Sequence, residues 1–205
     1  AYPEGTGKLL PLGSEVTFEL HYTPNGIAST DEPRLGLWLH TNPPPRALRV
    51  GGFGSPALNI PPFAQEVPAL IETTFSKDVL VYGMNPHMHL RGSRMKFEVT
   101  YPDGIREVLL SVPRYDFHWQ TLYQLQTPKR LPAGTRLAVT GAFDNSAQNP
   151  NNPNPAQTVV GGLQTTDEMF LDFLRFAEML TLHTQPRSAT AARGSRVTFD
   201  VTAST

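Results

Sequence analysis

The chain contains no cysteine. That excludes disulfides, thiolate nucleophiles, iron–sulfur ligation and zinc sites built on Cys. It leaves the redox compartment open, because a thiol-free chain is stable in either environment. An excess of charge is also missing. Lys plus Arg number 17 and Asp plus Glu 18, for a formal net charge of −1, so there is no electrostatic footprint for nucleic acid or for an anionic membrane surface. No apolar run approaches the length of a membrane span. No long amphipathic helix and no internal repeat is visible. The chain opens on Ala1-Tyr2-Pro3-Glu4 without a signal-peptide pattern and is expected to be a mature or excised piece.

What the sequence has in quantity is punctuation: 20 Pro and 16 Gly in 205 residues. Between them run short segments that alternate with period two. Glu15–Tyr22 puts Val16, Phe18 and Leu20 on one side and Thr17, Glu19 and His21 on the other. Arg34–His40, Ala69–Phe75, Met95–Thr100, Arg106–Ser111, Tyr115–Gln120, Thr135–Phe143 and Arg196–Val201 read the same way. Thr165–Phe176 fits a short helix or a strand by periodicity, and its place after a strand series favours the strand. Tyr101-Pro102-Asp103-Gly104 is a hairpin turn. Gly51–Pro56 reads as loop, Ile60-Pro61-Pro62 is too rich in proline for a central strand, and Asp144–Gln157 is a long polar loop. Lys129-Arg130 reads as a solvated turn. Many short strands at near-regular spacing predict an all-β, antiparallel sandwich of jelly-roll type.

One stretch carries chemistry. In Asn85-Pro86-His87-Met88-His89-Leu90-Arg91-Gly92, His87 and His89 stand two apart on an extended segment. They share a face while Met88 points away, and two imidazoles so placed can lean onto one metal ion. The plainer alternative is a metal-free His-x-His pair. A thioether added to two imidazoles selects copper, and Cu(I) above all; Met169 is a candidate, although a Met on a strand is ordinarily core filler. His118 is either a further ligand, a group that orients one, or a hydrogen-bonded residue on a strand's polar face. Asp167 either accepts an imidazole N–H or closes a turn. His40 and His183 read as surface residues.

His87-Met88-His89-Leu90-Arg91-Gly92, followed by Thr166-Asp167-Glu168-Met169, resembles the C-terminal domain of the type II copper, ascorbate-dependent monooxygenases, the family of the peptidylglycine α-hydroxylating and dopamine β-monooxygenases. The likeness extends over about Glu15 to Phe176 and is closest to bacterial relatives, through Tyr115–Gln120 and Phe143-Asp144-Asn145-Ser146. It implies that His87, His89 and Met169 bind one mononuclear copper that activates dioxygen, with ascorbate or another reductant as electron source. It also implies that His21 matches one of three histidines on a second, electron-transfer copper. The other two come from an adjacent His-His pair that this sequence lacks. Asn85 stands where the peptide-amidating branch has Arg, Phe173 where it has Tyr, and Phe170 where it has a disulfide Cys.

The resemblance divides the chain into a leading strand segment over 1–32, the edge of the family's N-terminal domain; a copper-binding jelly roll over 33–180; and a tail with a short strand over 181–205. It implies a partner, either an upstream domain or a separate protein, that supplies the second copper or the electrons, and an extracytoplasmic (periplasmic or secreted) setting. The alternative is a non-catalytic β-sandwich that serves binding, electron transfer or assembly in a larger complex.

Overall fold

The computed structural model describes residues 2–22, 25–54, 57–179, 181–182, 196, 198 and 203–204. Two compact units emerge, Ala1–Leu48 and Arg49–Thr205. In the first, β1 (Thr6–Gly7) pairs in parallel with β2 (Arg46–Ala47), and Leu48 N donates to Gly7 O (2.8 Å). Thr6 and Leu48 are buried there. The described residues between 8 and 43 are all exposed and lie in no strand. This corrects the expectation for Glu15–Tyr22 and Arg34–His40. Both alternate as strands do, but a strand is made by its neighbours, and among the described residues neither has one.

The second unit is built from β3 (Arg49–Gly54), β4 (Asn59–Ile60), β5 (Val67–Thr74), β6 (Val79–Met88), β7 (Gly92–Thr100), β8 (Arg106–Val112), β9 (Tyr123–Leu131), β10 (Arg136–Phe143), β11 (Val159–Val160), β12 (Phe170–Glu178), β13 (Thr181–Leu182) and β14 (Ala203–Ser204). One sheet has the order β3-β12-β6-β9 and the other β5-β10-β7-β8. All their pairings are antiparallel. Taken as eight successive long strands, first pairs with last, second with seventh, third with sixth and fourth with fifth. That nesting is a jelly roll. β4 with β11 and β13 with β14 form small two-stranded additions. No helix occurs among the described residues.

The inner faces supply the core. Met84, Met88, Phe170 and Leu174 come from one sheet, Met95, Phe97, Val139 and Phe143 from the other, all essentially inaccessible. Phe143 meets Phe170 edge to face at 6.1 Å. Each buried side chain of this size stabilises the fold by about 1.5–3 kcal/mol.

Three local expectations need correction. Tyr115–Gln120 is a loop: Asp116 O accepts from Trp119 N (3.0 Å) and Asp116 Oδ1 from His118 N (2.9 Å), so a turn replaces the strand. Gly51–Gly54 belongs to edge strand β3. Lys129 and Arg130 lie within edge strand β9, where Lys129 Nζ reaches Glu107 (2.7 Å) and Arg130 reaches Asp78 (2.6 Å). The helix-or-strand segment is strand from Phe170 onward. His183 and most of the expected Arg196–Val201 strand lie outside the described residues; Arg196 and Thr198 are in no strand.

Candidate metal centre

β6 and β12 are neighbours, with Phe170 opposite Met88 and Leu171 opposite His87. Met88 and Phe170 are in the core, so the alternation of strand side chains turns His87 and Leu171 to the outer face. His89 is the first residue past β6, and Met169 immediately precedes β12. Both therefore stand at the same end of the ladder, one step beyond the Phe170–Met88 pair. A turn through Leu90-Arg91 follows, closed by Gly92 N donating to His89 O (3.2 Å). On the other flank, β9 pairs with β6 only as far as Met84 opposite Tyr123. Beyond it the Asn85 amide donates to Thr121 O (2.7 Å), so the loop before β9 covers the half of β6 that carries His87.

The two imidazoles lie 5.3 Å apart, centroid to centroid, at 90°. His89 Nδ1 is 3.1 Å from the backbone carbonyl of Asp167. A carbonyl only accepts, so Nδ1 carries the proton and Nε2 the lone pair. His87 Nδ1 is 2.5 Å from Gln120 Oε1. Gln120 Nε2 donates to Phe117 O (2.9 Å), which fixes the amide with its oxygen toward the imidazole. His87 therefore also presents a free Nε2. Burial, aided by the neighbouring His89, pulls the His87 pKa below its ordinary value against the upward effect of the Gln120 bond, and this favours the neutral, ligating form. Phe117 stands 5.9 Å from His89 and Phe173 6.1 Å from His87, so aromatic rings flank both imidazoles.

A buried carboxylate ties the two motifs together. Glu168 is fully inaccessible. Its Oε2 accepts from His89 N (2.8 Å) and its Oε1 from Arg91 N (2.6 Å). Burial pushes its pKa up to about 7, opposed by the Arg91 and His89 amides, the Arg91 charge and the Met169 amide. The Arg91 guanidinium is itself buried and donates to Asn145 Oδ1 and Thr166 O, both at 2.9 Å. Asn145 donates in turn to Pro61 O (2.8 Å) and Gln157 O (2.9 Å), which pins the long polar loop. Tyr115 closes the other side: its hydroxyl donates to Met88 O (2.7 Å) and accepts from Met88 N (3.0 Å). His87, Met88, His89, Arg91 and Glu168 are thereby held by groups remote in sequence.

His87, His89 and the 167–169 segment come together. Asp167 holds the His89 imidazole with its backbone carbonyl, whereas its carboxylate accepts from Gln164 N (3.2 Å) and closes the 164–167 turn. Met169 is half-buried. His118 is exposed, 3.3 Å from Asp116, and touches the site only through the ring of Phe117, 5.5 Å away. His21, in the first unit, is exposed and 3.1 Å from Glu19. His40 is exposed. Among the described residues no three His, Asp or Glu side chains gather as a metal site. Two imidazoles with their Nδ1 atoms engaged and a thioether at the same end of one ladder form a donor set that suits copper. Sequence reasoning missed Gln120 and Glu168. The only signal for Glu168 was its place inside the Asp167-Glu168-Met169 run.

Comparison with known families supplies the remaining finding. Residues 50–192 match the model of the copper type II ascorbate-dependent monooxygenase C-terminal domain. The match contains the whole β6–β12 ladder, both histidines and the Glu168 clamp, and the chain belongs to that family of copper monooxygenase domains.

Proposed function

We propose that His87, His89 and Met169 hold a single mononuclear copper, and that this unit is the dioxygen-activating half of a copper monooxygenase. The observation that carries the reading is the tautomer lock. Asp167 O and Gln120 Oε1 each engage an Nδ1, leaving two Nε2 lone pairs on rings 5.3 Å apart. Copper held there would supply a one-electron couple for dioxygen chemistry. The residues themselves set the site. Gln120 and Asp167 orient the imidazoles, burial keeps His87 neutral, Phe117 and Phe173 limit water, and Glu168 fixes the backbone on which His89 and Met169 sit.

A coupled two-electron oxidation needs a second electron source, so an upstream domain or partner protein is part of the reading, with ascorbate or another reductant behind it. An extracytoplasmic location fits a His/His/Met centre without thiolates. No helix among the described residues is long and apolar enough to cross a membrane. The second reading, a non-catalytic subunit for binding, electron transfer or assembly, is favoured by one observation: His21, the one match to the second copper site, is an exposed residue beside Glu19.

Metal titration tests the ligand set. One tight copper equivalent is expected, with Met169→Ala weakening Cu(I) more than Cu(II) because the thioether is the soft ligand. Equal losses for both oxidation states would contradict the ligand set. Ascorbate-driven oxygen uptake by this chain alone is expected to stay at the free-copper background; stoichiometric hydroxylated product would show a second site assembled within it.

A further inference from the structure

We propose that Asn145, in the long polar loop, is a positioning residue for His89: it holds the Arg91 guanidinium and, through it, the backbone carbonyl that fixes the His89 imidazole. That His89 is a metal ligand rests on the copper reading above. A loop side chain usually faces water, yet Asn145 is fully inaccessible. Its amide is used at every position. Nδ2 donates to Pro61 O (2.8 Å) and Gln157 O (2.9 Å); both partners only accept, so the nitrogen must face them. Oδ1 accepts from Arg91 Nε and from Asn152 Nδ2, both at 2.9 Å. The backbone N–H donates to Ala64 O (2.9 Å). The side chain therefore has one orientation, and it aims its oxygen at Arg91.

From Arg91 a relay runs to the imidazole. Arg91 Nη1 donates to Thr166 O (2.9 Å), and the carbonyl of the next residue, Asp167, is 3.1 Å from His89 Nδ1. The Asp167 carbonyl is steadied from two sides. Arg91 holds the Thr166 carbonyl before it, and Glu168 N, in the same peptide, donates to Val160 O (3.1 Å). A guanidinium is a rigid planar fork, so its N–H groups turn together. Releasing Nε from Asn145 therefore lets Nη1 swing away from Thr166 O. With one support left, the Asp167 carbonyl can tilt off Nδ1, and the imidazole is free to exchange tautomer. A neighbouring loop residue supplies the contrast. Asn149 Nδ2 donates to Asp144 O (2.8 Å) and Leu90 O (3.3 Å), so it braces the same loop outside the relay.

Long-range ¹H–¹⁵N correlation spectra of the copper-free full chain, in mildly alkaline buffer, show which His89 nitrogen holds the proton. Wild type is expected to keep it on Nδ1. Asn145→Ala should move it wholly or partly to Nε2 and lower copper affinity about 10–100-fold. Asn145→Asp keeps an acceptor for Arg91 and gives up only the two donated bonds, so the proton should stay on Nδ1. Asn149→Ala should leave it there too. If Asn145→Ala does not fold, Arg91→Lys breaks the same relay one link on, because a single ammonium lacks the fork that serves Asn145 and Thr166 together; it should move the proton in the same way. An unmoved proton in folded Asn145→Ala or in Arg91→Lys, whatever the loss of stability, would make Asn145 a structural pin and overturn the proposal. A moved proton in Asn145→Asp or Asn149→Ala would also overturn it, since anchoring of the loop at large would then be the cause. A proton that moves as expected while copper affinity stays constant supports the relay and refutes His89 as a ligand.

Discussion

The carboxyl of Glu168 makes the stability of the copper-free chain depend on pH in an unusual direction. Its unfolded form ionises near the ordinary 4.5, the folded form near about 7. Below both values each state holds the proton and the group adds no pH dependence. Between them only the unfolded state has lost it, which favours unfolding. Above both, the folded state carries a buried carboxylate whose three amide partners offset only part of its desolvation. The contribution is therefore full below about pH 4.5 and falls away as pH rises through about 7, a loss on the order of 3 kcal/mol. Glu168→Gln removes the titration. It also turns one amide NH2 toward the N–H of His89 or Arg91, which costs about 1–3 kcal/mol at every pH. Urea denaturation of both proteins at pH 4.5, 6 and 8 reads the difference and cancels most other titrating groups. The variant should be the weaker at pH 4.5 and should draw level with, or overtake, wild type by pH 8. A gap that is constant, or that widens with rising pH, would refute the reasoning and mean that the amides stabilise the ionised form outright.

Gln120→Leu frees the His87 imidazole to change tautomer and should lower copper affinity about 10–100-fold; competition against a Cu(I) chelator measures this, and an unchanged constant would remove Gln120 from the site. Tyr115→Phe deletes both hydrogen bonds to Met88 and should cost about 1–3 kcal/mol in urea melts, with the copper stoichiometry unaltered. His21→Ala should leave that stoichiometry at one equivalent, and the loss of an equivalent would show that this exposed imidazole takes part in metal binding.

The fold class was legible because the inner-face residues of β5, β7 and β10 alternate cleanly and the turns after β7 and β9 are marked by Gly and Pro. Both edge strands of the other sheet were harder. β9 contains Pro128, which argues against a strand, yet it falls where the pairing to β6 jumps from Val81–Lys129 to Gly83–Gln124, so no ladder bond is sacrificed. β3 reads as loop because of Gly51, Gly52 and Gly54, but a Cβ on Gly54 would press on Leu171 at 2.7 Å: the glycine makes room for a neighbouring strand's side chain, and the sequence of β3 alone does not record that neighbour. Tyr115–Gln120 misled in the opposite sense, since its alternation is real but Asp116 caps a turn. At the site, the spacing of His87 and His89 was enough to place them on one face. Gln120 and Glu168 were not legible, because their roles lie in hydrogen bonds to residues 33 and more than 70 positions away.

The nesting of the eight strands also orders events in time. His87 meets Leu171 across a separation of 84 residues, and β12 must enter between β3 and β6 to do so. Contacts of this range are closed late and slowly, whereas His87 and His89 share one short segment from the moment it is made. A chain that emerges N-terminus first displays its two imidazoles well before the thioether and the Glu168 clamp arrive. If the proposed ligands hold the metal, copper met early would be bound by nitrogen alone, and only the insertion of β12 would add the sulfur that favours Cu(I). In refolding followed by stopped flow, gain of Cu(I) affinity should coincide with the slowest structural phase, and its appearance in an earlier phase would break this ordering.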